Sequence, residues 1–395
     1  MTDSPYLDLT DPAVLADLHP TIDRLRAEGH LHARTDDGIV FFDQRDAAWV
    51  MRCTDFRFKF VDIDAATSPY LARAIEHELL NMHGEAHARM RRLVGAALRD
   101  RVEDELRDRI AQVADDLIDA LPGAGVVDLC ADFATPLPGR VLGPMYGIPY
   151  DDATEFNEWI RIGGRKLDAL MNGDPIDEIE AANRSMHDYL RGLLETRRSA
   201  LGGDIFSELI VAEVDGDRLG EDELVYLTTE LASAGVDTTR DQLPLILLML
   251  LRHPNQLALL AADPSLAMSA VDEGMRMAPL PWLIPHEALH DIEYEGLHIA
   301  AGEVVSVLVP AANRDPAAVD RPGEFDITRP RVRNFSFGQG AHVCPAATLA
   351  RVEMAIALER LVSQLVTMRL VEDPALTVSG KGRIPEQVLV EIAKR

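Results

Sequence analysis

Phe335–Ala347 reads FSFGQGAHVCPAA and holds one of only three cysteines in a chain of 395 residues. Two glycines and a histidine precede Cys344 and a proline follows it. A cysteine that only fills core volume needs none of these neighbours. Gly338 and Gly340 permit a tight loop, and Pro345 suits the first turn of the helical run that follows. A sulfur among backbone N–H groups at a helix start gives up its proton readily and becomes a good ligand. Zinc is a poor candidate, because no second Cys or His cluster stands at ligand spacing.

Working outward, 47% of the residues are hydrophobic, enough for a large core. The 66 acidic residues outnumber 39 basic ones, for a net charge of −27. That balance argues against nucleic acid or an anionic membrane as partner, since phosphate binding needs clustered Lys and Arg. Cys53, Cys130 and Cys344 are odd in number and far apart, which excludes a disulfide framework and points to a reducing compartment. The first 20 residues have neither a basic n-region nor an apolar h-region. The longest apolar run, Leu243–Leu251, is too short to span a bilayer and contains Pro244. The expectation is a cytoplasmic protein.

Helical periodicity dominates. Apolar and charged residues alternate at three-to-four spacing over roughly 85–121. A second long helix is expected from the acidic turn Gly220–Glu223 to the stop at His253–Pro254. At about 1.5 Å per residue it would be nearly 50 Å long, with a bend at Pro244. Strand-like stretches are short: GIVFFD near residue 40, IEYEGLHI to Ile299, EVVSVLV to Val309, and QVLVEIA at the end. No linker or repeat is visible. The chain reads as one mainly α domain over 1–395 with small peripheral β-sheets, residues 1–20 forming an N-terminal extension.

Three further patterns carry chemistry. ELASAGVDTTRDQ, in the long helix, places small Ala234 and Gly235 beside Asp237 and Thr238. Small residues there leave room for a flat group beside the helix, although a mid-helix glycine costs about 1 kcal/mol. Thr238 can draw a carbonyl out of the helix ladder, and an alcohol beside a carboxylate can relay protons. Alone, the pattern equally describes a solvated Asp and a core Thr. VDEGMRM sets Glu273 and Arg276 at i, i+3 on one face, by itself an ordinary ion pair. HARMR sets His87 and Arg91 one turn apart, with Arg89 and Arg92 as an exposed basic face.

The cysteine loop resembles the haem-binding signature of the cytochrome P450 family, Phe-x-x-Gly-x-His/Arg-x-Cys-x-Gly. Phe337, Gly340, His342 and Cys344 match in register, with Ala346 where the last glycine is usual. Ala234, Gly235, Asp237 and Thr238 resemble the family's oxygen-activation motif, and Glu273 and Arg276 its structural Glu-x-x-Arg pair. AANRDP (Ala311–Pro316) and FDITR (Phe325–Arg329) follow in the family's order. His286 stands where an Arg is usual, and Asn334 where a His often precedes the loop.

The resemblance implies a fold with a long central helix crossing the haem, and haem b (iron protoporphyrin IX) as cofactor. It implies a monooxygenase using O2 on a hydrophobic small molecule, such as a natural product, terpenoid or lipid. Electrons would come from a ferredoxin and ferredoxin reductase, because the chain carries no flavin or iron–sulfur motif, and the enzyme would be a monomer. Cys344 would ligate iron and Asp237 and Thr238 would deliver protons. His87, Arg91, His286 and His342 would meet haem propionates, with Phe337, Gly338, Ala234 and Gly235 against the macrocycle. The basic spot near Arg89 and Arg92 would receive an acidic ferredoxin. By the same analogy Glu230, Ser233, Trp282, Leu283 and Pro385 would line the substrate pocket, with Glu230 on a solvated or otherwise paired face as the competing reading. The intact Asp237–Thr238 pair favours hydroxylation over peroxide-driven oxidation or ring coupling, and over a non-catalytic haem sensor.

Overall fold

A computed structural model describes residues 4–59, 63, 68–98, 104–149, 151–214 and 217–392. Most of these residues are helical, with small sheets. The chain divides into two compact units, each assembled from separate stretches of sequence: 1–60, 275–324 and 330–344 in the first, the remainder in the second.

The first unit is built on a five-stranded sheet. Its order is His32–Thr35, Gly38–Phe41, Val304–Leu308, Leu283–Ala288 and Phe56–Phe58. Only the second and third of these strands run parallel. GIVFFD and EVVSVLV thus supply the central strands, and their β-branched and aromatic residues are buried. IEYEGLHI forms a separate hairpin, Ile292–Tyr294 with Leu297–Ile299. Residues 4–20 are part of this unit rather than an appendage: Leu7, Val14 and Leu18 are buried in a cluster with Phe42 and Leu308.

The second unit is mainly helical. The periodic stretch expected over 85–121 forms two helices, Gly84–Ala97 and Asp104–Ala120; the segment 99–103 lies outside the described residues. In the first of these, Met90, Leu93, Val94 and Ala97 form the buried stripe. The long helix spans Glu221–Arg252. At its start the Gly220 N–H donates to Glu223 Oε2 at 2.8 Å, one half of a capping box, since glycine has no side chain to return the bond. His253 ends it and Pro254 opens the next helix. Pro244 sits inside it without ending it. Residues 241–250 are buried on every side, as expected for a helix in a core. Among the described residues no single helix is long and apolar enough to cross a membrane. QVLVEIA supplies the strand Leu389–Ile392, paired with Met368–Leu370 and Gly125–Asp128.

Candidate active site

The cysteine loop belongs to the first unit, and its backbone is held from within. The Gly338 N–H donates to the Phe335 carbonyl at 2.8 Å, and the Cys344 N–H to the Phe337 carbonyl at 2.9 Å. Gly340 has φ of +71°, and a Cβ there would collide with the Met51 carbonyl oxygen. Only glycine combines that conformation with that approach. Cys344 remains partly exposed, as a ligand must be. Pro345 lies in the turn before the following helix, which begins at Ala347 with Ala346 as its cap, so the expectation that Pro345 opens the helix is corrected.

Side chains from AANRDP reach this loop. Asn313 Oδ1 accepts the Phe335 N–H at 2.7 Å, and Asn313 Nδ2 donates to Ser336 Oγ. Ser336 Oγ donates in turn to the Met275 carbonyl at 2.9 Å. Asn334 Oδ1 accepts the Ser336 N–H, a local cap at the position where the family often has a histidine. Arg276 is fully buried and donates to the carbonyls of Asn313, Pro322 and Glu324. The sequence pattern pointed to none of the Asn313 and Ser336 contacts, because the partners lie 22 to 61 residues apart.

Phe58 lies against both His286 and His342, with ring centroids 6.1 and 6.2 Å apart. His286 Nδ1 faces the Ile284 carbonyl at 3.1 Å, and burial pushes its pKa down to about 4. Trp282 packs partly buried against the Leu7–Phe42 cluster, and Leu283 is exposed.

In the second unit the middle of the long helix presents two different sides. Ala234 and Thr238, one turn apart, are exposed, with Ser233 half-buried beside them. Thr238 Oγ1 donates to the Ala234 carbonyl at 2.6 Å. Asp237 faces inward and is buried, so carboxylate and alcohol point to different sides. Its oxygens are taken by Arg240 and by Lys381, the latter at 2.6 Å. The space at Gly235 is filled by Leu142 Cδ1, 2.9 Å from where a Cβ would stand. That glycine therefore admits a neighbouring helix rather than a cofactor.

Glu230 turns its carboxylate to the backbone N–H groups of Leu79 (2.6 Å) and Leu80 (3.3 Å). Burial, reinforced by the nearby Glu78 carboxylate, lifts its pKa to about 8. Glu78 itself pairs with Lys166 at 2.5 Å. His87 is buried, and burial followed by the Arg91 charge lowers its pKa, which favours the neutral ring over the cation. Arg89 is not a free basic landing spot: it binds Asp217 and Glu223, tying its helix to the start of the long one. Glu273 accepts the Asp326 N–H and pairs with Arg329 of FDITR at 3.1 Å. Pro385, buried, ends a hairpin strand, with its carbonyl near Cys130 Sγ.

These residues fit a haem. The loop offers one accessible sulfur on a fixed backbone with a histidine two positions away. The long helix leaves a bare patch at Ala234 and Thr238 where the rest of its middle is packed. Among the described residues no cluster of three His, Cys, Asp or Glu forms an alternative metal site. Fold and residues together define a haem-thiolate protein.

A family profile described as "Cytochrome P450" matches residues 265–371. The chain is 34% identical to the vitamin D(3) 25-hydroxylase of Pseudonocardia autotrophica, covering 93% of each chain. It is 33% identical to cytochrome P450 monooxygenase PikC of Streptomyces venezuelae, covering 91% and 86% of the two chains. Among solved structures, P450BioI in complex with a hexadec-9Z-enoic acid-ligated acyl carrier protein superposes with a TM-score of 0.87 at 27% identity, covering 96% of this chain and 100% of that one. The chain belongs to the cytochrome P450 family. It is a monooxygenase with haem b as its cofactor, acting with O2 and an external electron source.

Proposed function

We propose that this enzyme hydroxylates a hydrophobic natural product, terpenoid or lipid-like molecule, with electrons delivered by a ferredoxin and its reductase. A thiolate-bound haem supplies dioxygen activation, and the chain supplies position, protons and dryness. Cys344 is the ligand to iron. His342, His286, His87 and Arg91 are the residues that would donate to the propionates. Phe337 and Gly338 of the cysteine loop and Ala234 of the long helix are the residues that would make room for a bound macrocycle. Thr238 presents its hydroxyl on the open patch, and Asp237, buried one position earlier, is the acid that replenishes it.

The observation that carries the reading is the bare Ala234–Thr238 patch on an otherwise packed helix. The relatives support the substrate class: they include the vitamin D(3) hydroxylase and an epothilone C/D epoxidase of Sorangium cellulosum, 31% identical. Ser233, Trp282, Leu283 and Pro385 are the proposed pocket residues. Glu230 acts there through the backbone of Leu79 and Leu80 that it holds. The enzyme works as a cytoplasmic monomer.

Two measurements test this. The reduced, carbon monoxide-treated protein should show the red-shifted Soret band of a thiolate-ligated haem; a histidine-type band overturns the ligand assignment. With a surrogate ferredoxin pair, Thr238→Ala should divert electrons from product to peroxide, and unchanged coupling would remove Thr238 from proton delivery.

A further inference from the structure

His286 stands on the strand Leu283–Ala288, at the position where the family usually has an arginine, and its ring is committed by its own strand. The side chain is buried, 6% exposed. Phe58 and Phe56 on the neighbouring strand turn their rings edgewise to it, with centroids 6.1 and 6.4 Å away. Nδ1 lies 3.1 Å from the Ile284 carbonyl. A carbonyl only accepts, so Nδ1 carries the hydrogen, and in the neutral ring Nε2 is left with a lone pair. Among the described residues no other group bonds the ring.

That tautomer cannot serve a carboxylate. The oxygens of a propionate offer only lone pairs, and lone pairs set face to face repel. An arginine in this place would donate without changing its charge. The histidine donates from Nε2 only after taking a second proton. Burial by itself opposes that charge and lowers the ring's pKa to about 4. A carboxylate against Nε2 reverses the balance, because its opposite charge offsets the desolvation of the ring. No other charge competes. Glu287, the next residue, points to the opposite face of the sheet and pairs with Arg57 and Lys59. Arg57 is the one charged residue of the strand Phe56–Phe58, and it lies on the Glu287 side. The strand Val304–Leu308 brings no titratable side chain. On the cysteine loop, His342 stands beyond the Phe58 ring, 6.2 Å from its centroid.

We propose that haem binding is coupled to the uptake of one proton by His286, so that the ring becomes an imidazolium donating through Nδ1 to Ile284 and through Nε2 to a propionate. The inference rests on the propionate role proposed above for His286. The proton comes from solvent and returns to it when haem leaves. The haem-bound ring holds this proton more tightly than the haem-free ring. Haem retention is therefore strongest at low pH and weakens as pH rises through the pKa of the haem-bound ring. The arginine usual at this position imposes no such dependence.

The test uses the haem-loaded full chain in three forms: parent, His286→Arg and His286→Gln. Haem transfer from the ferric protein to excess apomyoglobin is timed from pH 6 to pH 9. The parent should release haem about tenfold faster at pH 9 than at pH 6. His286→Arg should flatten this dependence and stay slow at pH 9. His286→Gln, whose amide donates at any pH but carries no charge, should flatten it at a faster rate throughout. The second readout is nitrogen NMR of isotope-labelled histidine rings in the ferrous, carbon monoxide-bound form, with the His286 signals identified by their loss in His286→Gln. At pH 6 both ring nitrogens should carry hydrogen, and Nε2 should lose it as pH rises. Haem loss unchanged at every pH in both variants removes His286 from the propionates and overturns the proposal with that reading. Altered haem loss beside a ring protonated on Nδ1 alone at pH 6 leaves the propionate contact standing and overturns the proton uptake. A pH dependence that persists in His286→Arg also overturns it, because another group then takes the proton. If His286→Arg fails to fold, His286→Lys takes its place with the same criteria.

Discussion

Two regions bear the residues proposed to carry the chemistry of this enzyme, and they are built in opposite ways. The loop Phe335–Cys344 is shaped by backbone hydrogen bonds spanning three to seven residues and by a glycine at φ +71°. The middle of the long helix, Glu230–Asp241, has an ordinary local backbone. Its polar side chains are held by groups far along the chain: Leu79 and Leu80 for Glu230, Lys381 for Asp237 and Asp241. A local constraint leaves a signature in consecutive residues. A distant counter-ion leaves none, because a lysine in a hairpin turn is also the ordinary surface choice.

The sharpest way to break this comparison is at the sulfur. Cys344→Ser should abolish the red-shifted carbon monoxide band and all product formation, while leaving hydrogen exchange in the long helix unchanged. Next is Gly340→Ala, which forces a left-handed backbone on alanine and drives its Cβ into the Met51 carbonyl. It should cost at least about 2 kcal/mol in denaturant unfolding and weaken haem retention.

A smaller effect is expected at Glu230. In the fold its pKa lies near 8, against 4.5 ordinarily, so the folded chain keeps a proton that the unfolded chain releases. Stability from that proton is complete below about pH 4.5 and is lost as pH rises through 8. Glu230→Gln should flatten this dependence and leave the variant more stable near pH 8 by about 1–2 kcal/mol, a figure reduced for the side chain's partial exposure. Thermal melts at pH 5 and pH 8 check the sign.

The smallest effect should be Gly235→Ala. The obstacle is the tip of Leu142, which can turn aside, and alanine returns about 1 kcal/mol of helix propensity. Net stability should change by no more than about 1 kcal/mol, so two motif glycines would differ because one meets backbone and the other a flexible side chain.

Much of this was legible beforehand. The strands came from runs of β-branched residues, and the long helix from Glu221 to Arg252 came from its acidic start and its His253–Pro254 stop. Arg276 and Glu273 were visible as a pair, but their partners were not: the carbonyls of Asn313, Pro322 and Glu324 for one, and Arg329 for the other, lie 37 to 56 residues away. Arg89 read as a solvated cation and turned out to bridge two carboxylates, since nothing in HARMR reveals the acidic turn that packs beside it.

Residue order alone was enough for the family and the helical class, because glycine spacing, helix caps and hydrophobic period act over a few residues. Tertiary structure decided the rest: that Asp237 points away from Thr238 into an ion cluster, that Glu230 grips a backbone turn, and that Gly235 accommodates Leu142. Each is a contact across large sequence separation, where charge, burial and shape are properties of the neighbour as much as of the residue itself.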